Sequence, residues 1–162
     1  MEYDHTQKAP LHWILAVPGS AMVVTAWYAA PEPPWVGWVL SIVGAIMIGL
    51  SICFRTLRLQ SDEDALAITF GPVGLFKNRL RYDQIVGFRA DRSHVIDGWG
   101  IHYRPGAGWI WNLWGFDCVR FNLKDGTTLR FGTDDVDGLL AHLEARTGIA
   151  RGGVEASTKE TA

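Results

Sequence analysis

"WYAAPEPPWVGW", residues Trp27 to Trp38, lies between two long stretches that carry no Asp, Glu, Lys or Arg. The stretch itself holds three prolines and one acid, Glu32. On its left runs "LHWILAVPGSAMVVTAWYAA", residues 11–30, and on its right "WVGWVLSIVGAIMIGLSICF", residues 35–54. Each run has 20 residues, and at about 1.5 Å per residue a helix of that length spans about 30 Å, the thickness of a bilayer's hydrocarbon core. Proline lacks a backbone donor and restricts the residue before it. "PEPP" at 31–34 therefore reads as the turn of an antiparallel helical hairpin rather than as a linker. A secretory leader fits poorly: Glu2 and Asp4 precede the run, and Pro31 would abut a cleavage site at Ala29–Ala30. Trp13, Trp27, Trp35 and Trp38 fall near the ends of the runs, where aromatic rings favour the headgroup region.

The charges divide the chain. The full sequence of 162 residues has a net charge of −2, yet residues 9–54 contain only Glu32. Lys8 precedes the first run, Arg55 and Arg58 follow the second, and the turn has no base. The positive-inside rule then puts both termini and everything after the hairpin in the cytoplasm, with the protein a multi-pass protein of the plasma (inner) membrane. Within the second run Gly37, Ser41, Ala45 and Gly49 recur every fourth residue, a small-residue stripe suited to close helix packing, either on the first helix or in a homo-oligomer. No ionisable residue lies mid-span, so an ion or proton path has no candidate.

From Arg55 the pattern alternates. "TLRLQ", "LAITFG", "WGIHYR", "WIWNLW", "CVRFNL" and "TLRFG" read as short strands, and "LFKNRLRYDQIVGFRADR" as one or two more, broken near Asn78. "PGAG" at 105–108 and Asp125-Gly126 are hairpin signals. The period then changes: Val136, Leu139, Leu140 and Leu143 mark one face of a helix that Thr133 or Asp134 could cap and Gly148 could end. The expected domains are a segment at 1–10, the hairpin at 11–54, a β domain at 55–148 and a disordered tail at 149–162. About seven antiparallel strands and one closing helix suggest a bent sheet or small barrel.

That order, with "GWGIHYRPGAGWIWNLWG" and "VRFNLKDGTTLRFGTDDVDGLLAHL", resembles the pleckstrin-homology-like (PH-like) domains of small bacterial membrane proteins. The resemblance implies an all-β barrel capped by a C-terminal helix, and a binding or scaffolding role without a shared catalytic set. It supplies no site residues.

Cys53 and Cys118 are too few for a disulfide framework, and Cys118 in a strand reads as an inert thiol. His94, His102 and His142 lack metal-ligand spacing. Asp135, Asp137, Gly138 and Glu144 fit positions of a calcium loop, but Thr133 stands where its first acid belongs and a helix accounts for the same residues. No metal, cofactor or nucleic acid is expected, and no catalysis. The stronger candidates are interfacial. Lys77, Arg79 and Arg81 alternate onto one strand face and, with Arg55 and Arg58, could meet anionic headgroups. Trp109 and Trp111 could meet the bilayer interface or a partner protein. The expected function is a membrane-anchored interaction or scaffolding module that binds a membrane protein or the anionic lipid surface. The alternative is a structural subunit assembling through its helices.

Overall fold

The apolar hairpin is an insertion between two neighbouring strands. In the computed structural model, which describes residues 2–29, 32–93, 99–106 and 108–152, strand β1 (Asp4–Lys8) runs into helix α1 (Leu11–Tyr28). Helix α2 (Trp35–Cys53) returns the chain to strand β2 (Thr56–Ser61), which pairs antiparallel with β1, Lys8 opposite Thr56 and Asp4 opposite Gln60. The ends of the hairpin are thus stitched together by a sheet ladder, and the chain on either side of it lies on the same side. Residues 2–8 belong to the β domain, which corrects the expectation of a separate N-terminal segment at 1–10.

The two helices are long and apolar enough to cross a membrane, with mean hydropathy 1.2 and 2.3. They are not core helices of the β domain, since only 6% and 17% of their spans is buried within the chain. They pack on each other where both backbones lack a side chain. A Cβ at Gly44 would stand 2.6 Å from the Gly19 carbonyl oxygen, and one at Gly19 would stand 2.9 Å from that of Gly44.

Strands β3 (Ala65–Phe70) and β4 (Phe76–Arg81) complete a four-stranded antiparallel sheet in the order β1-β2-β3-β4. A single 3-10 turn, Tyr82–Gln84, separates β4 from β5 (Ile85–Arg92), so the strand break falls there and not near Asn78. The second sheet adds β6 (Gly100–Arg104), β7 (Gly108–Asn112), β8 (Asp117–Leu123) and β9 (Thr128–Gly132), in the order β5-β8-β9-β7-β6. The described residues form nine strands in two sheets and no closed barrel, where about seven antiparallel strands were expected. The β1 strand and the split of β4 from β5 account for the increase. One pair departs in direction as well: β9 lies between β8 and β7 and runs parallel to β7.

Strands β6 and β7, and strands β8 and β9, pair antiparallel across the two expected hairpin loops. Gly106 and Gly108 adopt positive φ in the β6–β7 loop, and Gly126 does so in the β8–β9 turn. There Asp125 accepts from the Thr127 backbone and hydroxyl, fixing the turn.

Helix α3 (Val136–Thr147) covers the core between the sheets. Its inward stripe, Leu139, Leu140 and Leu143, is buried in one core cluster with Leu59 and Leu66 of one sheet and Phe88 and Phe121 of the other. Each such burial contributes roughly 1.5–3 kcal/mol. Gly148 ends the helix in the left-handed conformation, as read. The cap is Asp135, whose carboxylate accepts from the Gly138 N–H; Thr133, one of the two expected caps, instead accepts from the Asp135 N–H. Beyond the helix, Ile149 packs on the core and Gly152 donates to the Phe88 carbonyl, so residues 149–152 belong to the domain. The rest of the expected tail, 153–162, lies outside the described residues.

Candidate functional site

One end of the first sheet meets the hairpin. Lys8 pairs with Thr56, Leu57 with Phe70, and Phe70 with Phe76, so these strand ends form a row at the base of α1 and α2. The Phe54 ring, one residue past α2, packs edge-on against Phe70 at 5.5 Å and stacks on Phe76 at 5.9 Å. The β3–β4 turn, Gly71 to Leu75, is seated on the last turn of α2. Gly71 takes φ +66° there, and a Cβ on it would stand 2.7 Å from both the Cα and the carbonyl oxygen of Cys53. Only glycine permits both the backbone conformation and that approach. Val73 and Leu75 in this turn are 69% and 63% exposed.

The expected cations separate into two groups. Lys77, Arg79 and Arg81 do share the exposed face of β4, but the strand leads away from the hairpin. Arg79 is held by Asp62 at 3.3 Å and Asp64 at 2.7 Å, and Arg81 by Asp83 at 2.8 Å. Arg58 makes a forked pair with Asp4, one arm of it 2.7 Å, and that hydrogen bond holds the Asp4 carboxyl below its ordinary range. Lys8, Arg55 and Lys77, all at the hairpin end, form no ion pair among the described residues.

The tryptophans divide similarly. Trp109 is 50% exposed and meets Tyr103 edge-on at 5.7 Å, next to the 105–108 loop. Trp111 turns toward the core, 6.0 Å from Phe70. At the other end of the β6–β7 pair, Trp99 stacks on Trp114 at 4.3 Å. That end adjoins the hairpin: Gln7 donates to the Trp114 carbonyl at 3.0 Å, and Gly100 lies beside the Phe54 ring. Trp99 and Trp114, flanking residues in the sequence, are therefore nearer the hairpin base than Trp109.

The small-residue stripe of α2 does not stay on one side. Gly37 and Ser41 are half-buried beside α1, whereas Ala45 and Gly49 are exposed, and nothing lies within 4 Å of a Cβ built at Gly49. A four-residue step advances about 40° past a full turn, so the stripe winds off the contact. The close contact with α1 is made at Gly44.

At the opposite end of the domain a groove of about 330 Å³ runs between Tyr3 and α3. Its floor is Gly138, Ala141, Ala145 and the Tyr3 ring, and Glu2, His142 and Arg146 border it. Tyr3 stacks on His142 at 5.5 Å and donates to the Asp135 carboxylate at 3.2 Å. Burial, then the Asp135 charge, raises the Tyr3 phenol far above its ordinary value. The Tyr82 hydroxyl bridges Ser61 at 2.7 Å and His142 Nε2 at 3.2 Å. Burial, then Arg146, holds the His142 imidazole below 6.5. No sequence signal pointed to this groove, because it joins residues more than 130 positions apart.

The remaining candidates are structural. Cys118 is buried and its thiol is pushed up to about 12, by burial first and then by Asp91. Its neighbour Arg130, also buried, pairs with Asp91 at 3.2 Å. Asp135 caps α3, and Glu144 pairs with Arg151 at 2.8 Å, so the calcium-loop residues serve the helix. No cluster of three metal-ligating side chains occurs among the described residues. His94 lies outside them. No protein-family model matches the chain, and no curated protein matches it in sequence.

Proposed function

We propose that this chain is a membrane-anchored interaction module: a two-helix membrane anchor carrying a PH-like β domain that binds a segment of a partner protein. The observation that carries the reading is the groove between Tyr3 and α3. It is open, its floor is apolar and shallow, and charged side chains of both signs border it. Those features suit an apolar side chain on a partner, flanked by polar groups. Tyr3 precedes Lys8 by five residues, or about 17 Å along an extended strand, so the groove opens well away from the hairpin. The C-terminal helix lying over the gap between two sheets supports the PH-like reading. The parallel β7–β9 pair and the nine strands mark a departure from that pattern. Lys8, Arg55 and Arg58 beside the hairpin ends favour a cytoplasmic domain in the inner membrane, with both termini on that side.

The test is photocrosslinking in intact membranes, with a photoreactive side chain at Ala145 or, as control, at Thr127 on the β8–β9 turn. The expected result is a discrete adduct from Ala145 alone, abolished by Ala141→Arg. No adduct, or one indifferent to Ala141→Arg, refutes the groove as the binding surface.

A second reading, a structural subunit assembled through its helices, is favoured by the exposed outer positions Ala45 and Gly49. Under that reading Ala45→Leu breaks oligomers trapped by crosslinking in the membrane. An unchanged oligomer pattern removes it.

A further inference from the structure

We infer that the β3–β4 turn, Gly71 to Leu75, is a membrane-inserting wedge: Val73 and Leu75 enter the interface of an anionic bilayer while Lys8, Arg55 and Lys77 face its headgroup phosphates. The inference rests on the reading of the hairpin as a membrane anchor, and it concerns the opposite end of the domain from the Tyr3–α3 groove.

Three observations converge. The first is depth. Helix α2 has 19 residues, about 28 Å of helix, so its C-terminal end at Cys53 lies at the boundary of a hydrocarbon core about 30 Å thick. Gly71 touches the backbone of Ile52 and Cys53, which sets the turn at that same level. The second is chemistry. The turn exposes two large apolar side chains within three residues, Val73 and Leu75, and Pro72 between the glycines lacks an N–H to desolvate. In water that is an exposed apolar knob with no partner, and at a bilayer boundary it is covered. The third is the segregation of charge. Residues 65–82, which span β3, the turn and β4, contain no acid, and neither do residues 53–61 or 5–31. The bases of that end remain unpaired among the described residues, while Asp62, Glu63, Asp64 and Asp83 gather at the far end around Arg79, Arg81 and Arg146. A first sheet with its bare cations toward the hairpin and its acids away from it is polarised to set that edge on an anionic surface.

The wedge gives the domain a third point of attachment beside the two hairpin connections. It fixes tilt as well as position, and so fixes the direction in which the far groove faces.

The test uses the full chain with Cys53→Ala and Cys118→Ala, reconstituted in nanodiscs of three parts phosphatidylcholine to one part phosphatidylglycerol. An environment-sensitive fluorophore is attached at Val73→Cys or, as control, at Asp125→Cys in the β8–β9 turn; its neighbour Lys124 bonds to Gln84 beyond the far end of β4. The expected result is a blue-shifted emission at position 73, quenched several-fold more than position 125 by lipids with brominated acyl chains. Lys8→Gln, Arg55→Gln and Lys77→Gln combined reduce that quenching to the level seen in pure phosphatidylcholine discs. Equal, weak quenching at both positions in a protein that resists alkaline extraction overturns the wedge and leaves the anchor standing. Quenching indifferent to the three substitutions overturns the headgroup contact. Release of the protein by alkaline extraction overturns the anchor and the wedge together.

Discussion

Gly44→Leu should loosen the hairpin, and Gly49→Leu should not. At Gly44 even a methyl group meets the Gly19 carbonyl oxygen at 2.6 Å and Val23 Cγ2 at 2.8 Å, where ordinary contact begins at 3.4 Å. The helices must part by the difference, 0.8 Å, to admit an alanine, and further for a leucine. Overpacking of that kind costs about 1–3 kcal/mol. For a chain of this size each kcal/mol shifts the melting midpoint by about 2–4 °C, so the expected drop is about 2–12 °C. At Gly49 nothing lies within 4 Å, and removing a helix-interior glycine is favourable by up to about 1 kcal/mol, so the midpoint should hold or rise slightly. The chain carries its own reporters. Cys53 and Cys118 are both free and buried, so a thiol-reactive dye reads out unfolding of the detergent-solubilised protein on heating. Variants retaining a single cysteine separate the hairpin end from the β domain, and Cys53 should respond first in Gly44→Leu. An unchanged midpoint in Gly44→Leu, or an equal fall in Gly49→Leu, would refute the Gly19–Gly44 contact as the hairpin's seam.

Cys118, with its thiol pushed up to about 12 by burial, should resist maleimide at pH 8 in the folded protein and react at once on denaturation; mass spectrometry of the labelled peptide checks this. The folded His142 titrates below the ordinary 6.5, so the unfolded chain binds that proton more readily. Its contribution is therefore fully present above about 6.5 and lost as pH falls through that value toward the folded one, and His142→Gln should flatten that limb of a stability-versus-pH curve. Gly71→Ala should destabilise the join between turn and helix, since it adds about 1–2 kcal/mol of left-handed strain to a close approach to Cys53. Thermal unfolding monitored at Cys53 measures it.

The parts of this fold legible in the sequence are those written by local rules. Two uninterrupted apolar runs and a proline turn give the hairpin to within two residues at each end. The leucine spacing gives α3, and alternation gives most strands. Strand β1 escaped because its residues, "DHTQK", are all polar: the buried position is Gln7, which faces the Trp114 carbonyl rather than the oily core. The parallel β7–β9 pairing escaped because it joins segments by tertiary placement, without a turn to announce it. The candidate site was half legible for the same reason. Alternation put Lys77, Arg79 and Arg81 on one face, but the acidic partners of Arg79 and Arg81 arrive from the β2–β3 loop and from Asp83. Val73 and Leu75 gave no signal as an apolar pair, because their exposure follows from the seat of Gly71 on α2.

The place of β1 changes what counts as the β domain. A fragment beginning at Arg55 contains every strand that alternation reveals, yet it is not the domain. It lacks the Asp4–Arg58 pair, the Tyr3 contacts to Asp135 and His142, the Gln7 bond to Trp114 and the buried Ala9. It also leaves β2 as a bare edge with unpaired backbone groups, and such an edge pairs with other chains. In the intact protein the hairpin returns the chain to β2 directly beside β1, so the ladder forms with little closure cost. Restoring residues 2–9 through a short flexible linker in place of residues 10–54 should therefore yield a monomeric domain, whereas residues 55–152 alone should associate. Sedimentation velocity separates the outcomes. A monodisperse, cooperatively melting fragment 55–152 would show that β1 is a passenger on the sheet, and that the hairpin is tethered to the domain by its C-terminal connection alone.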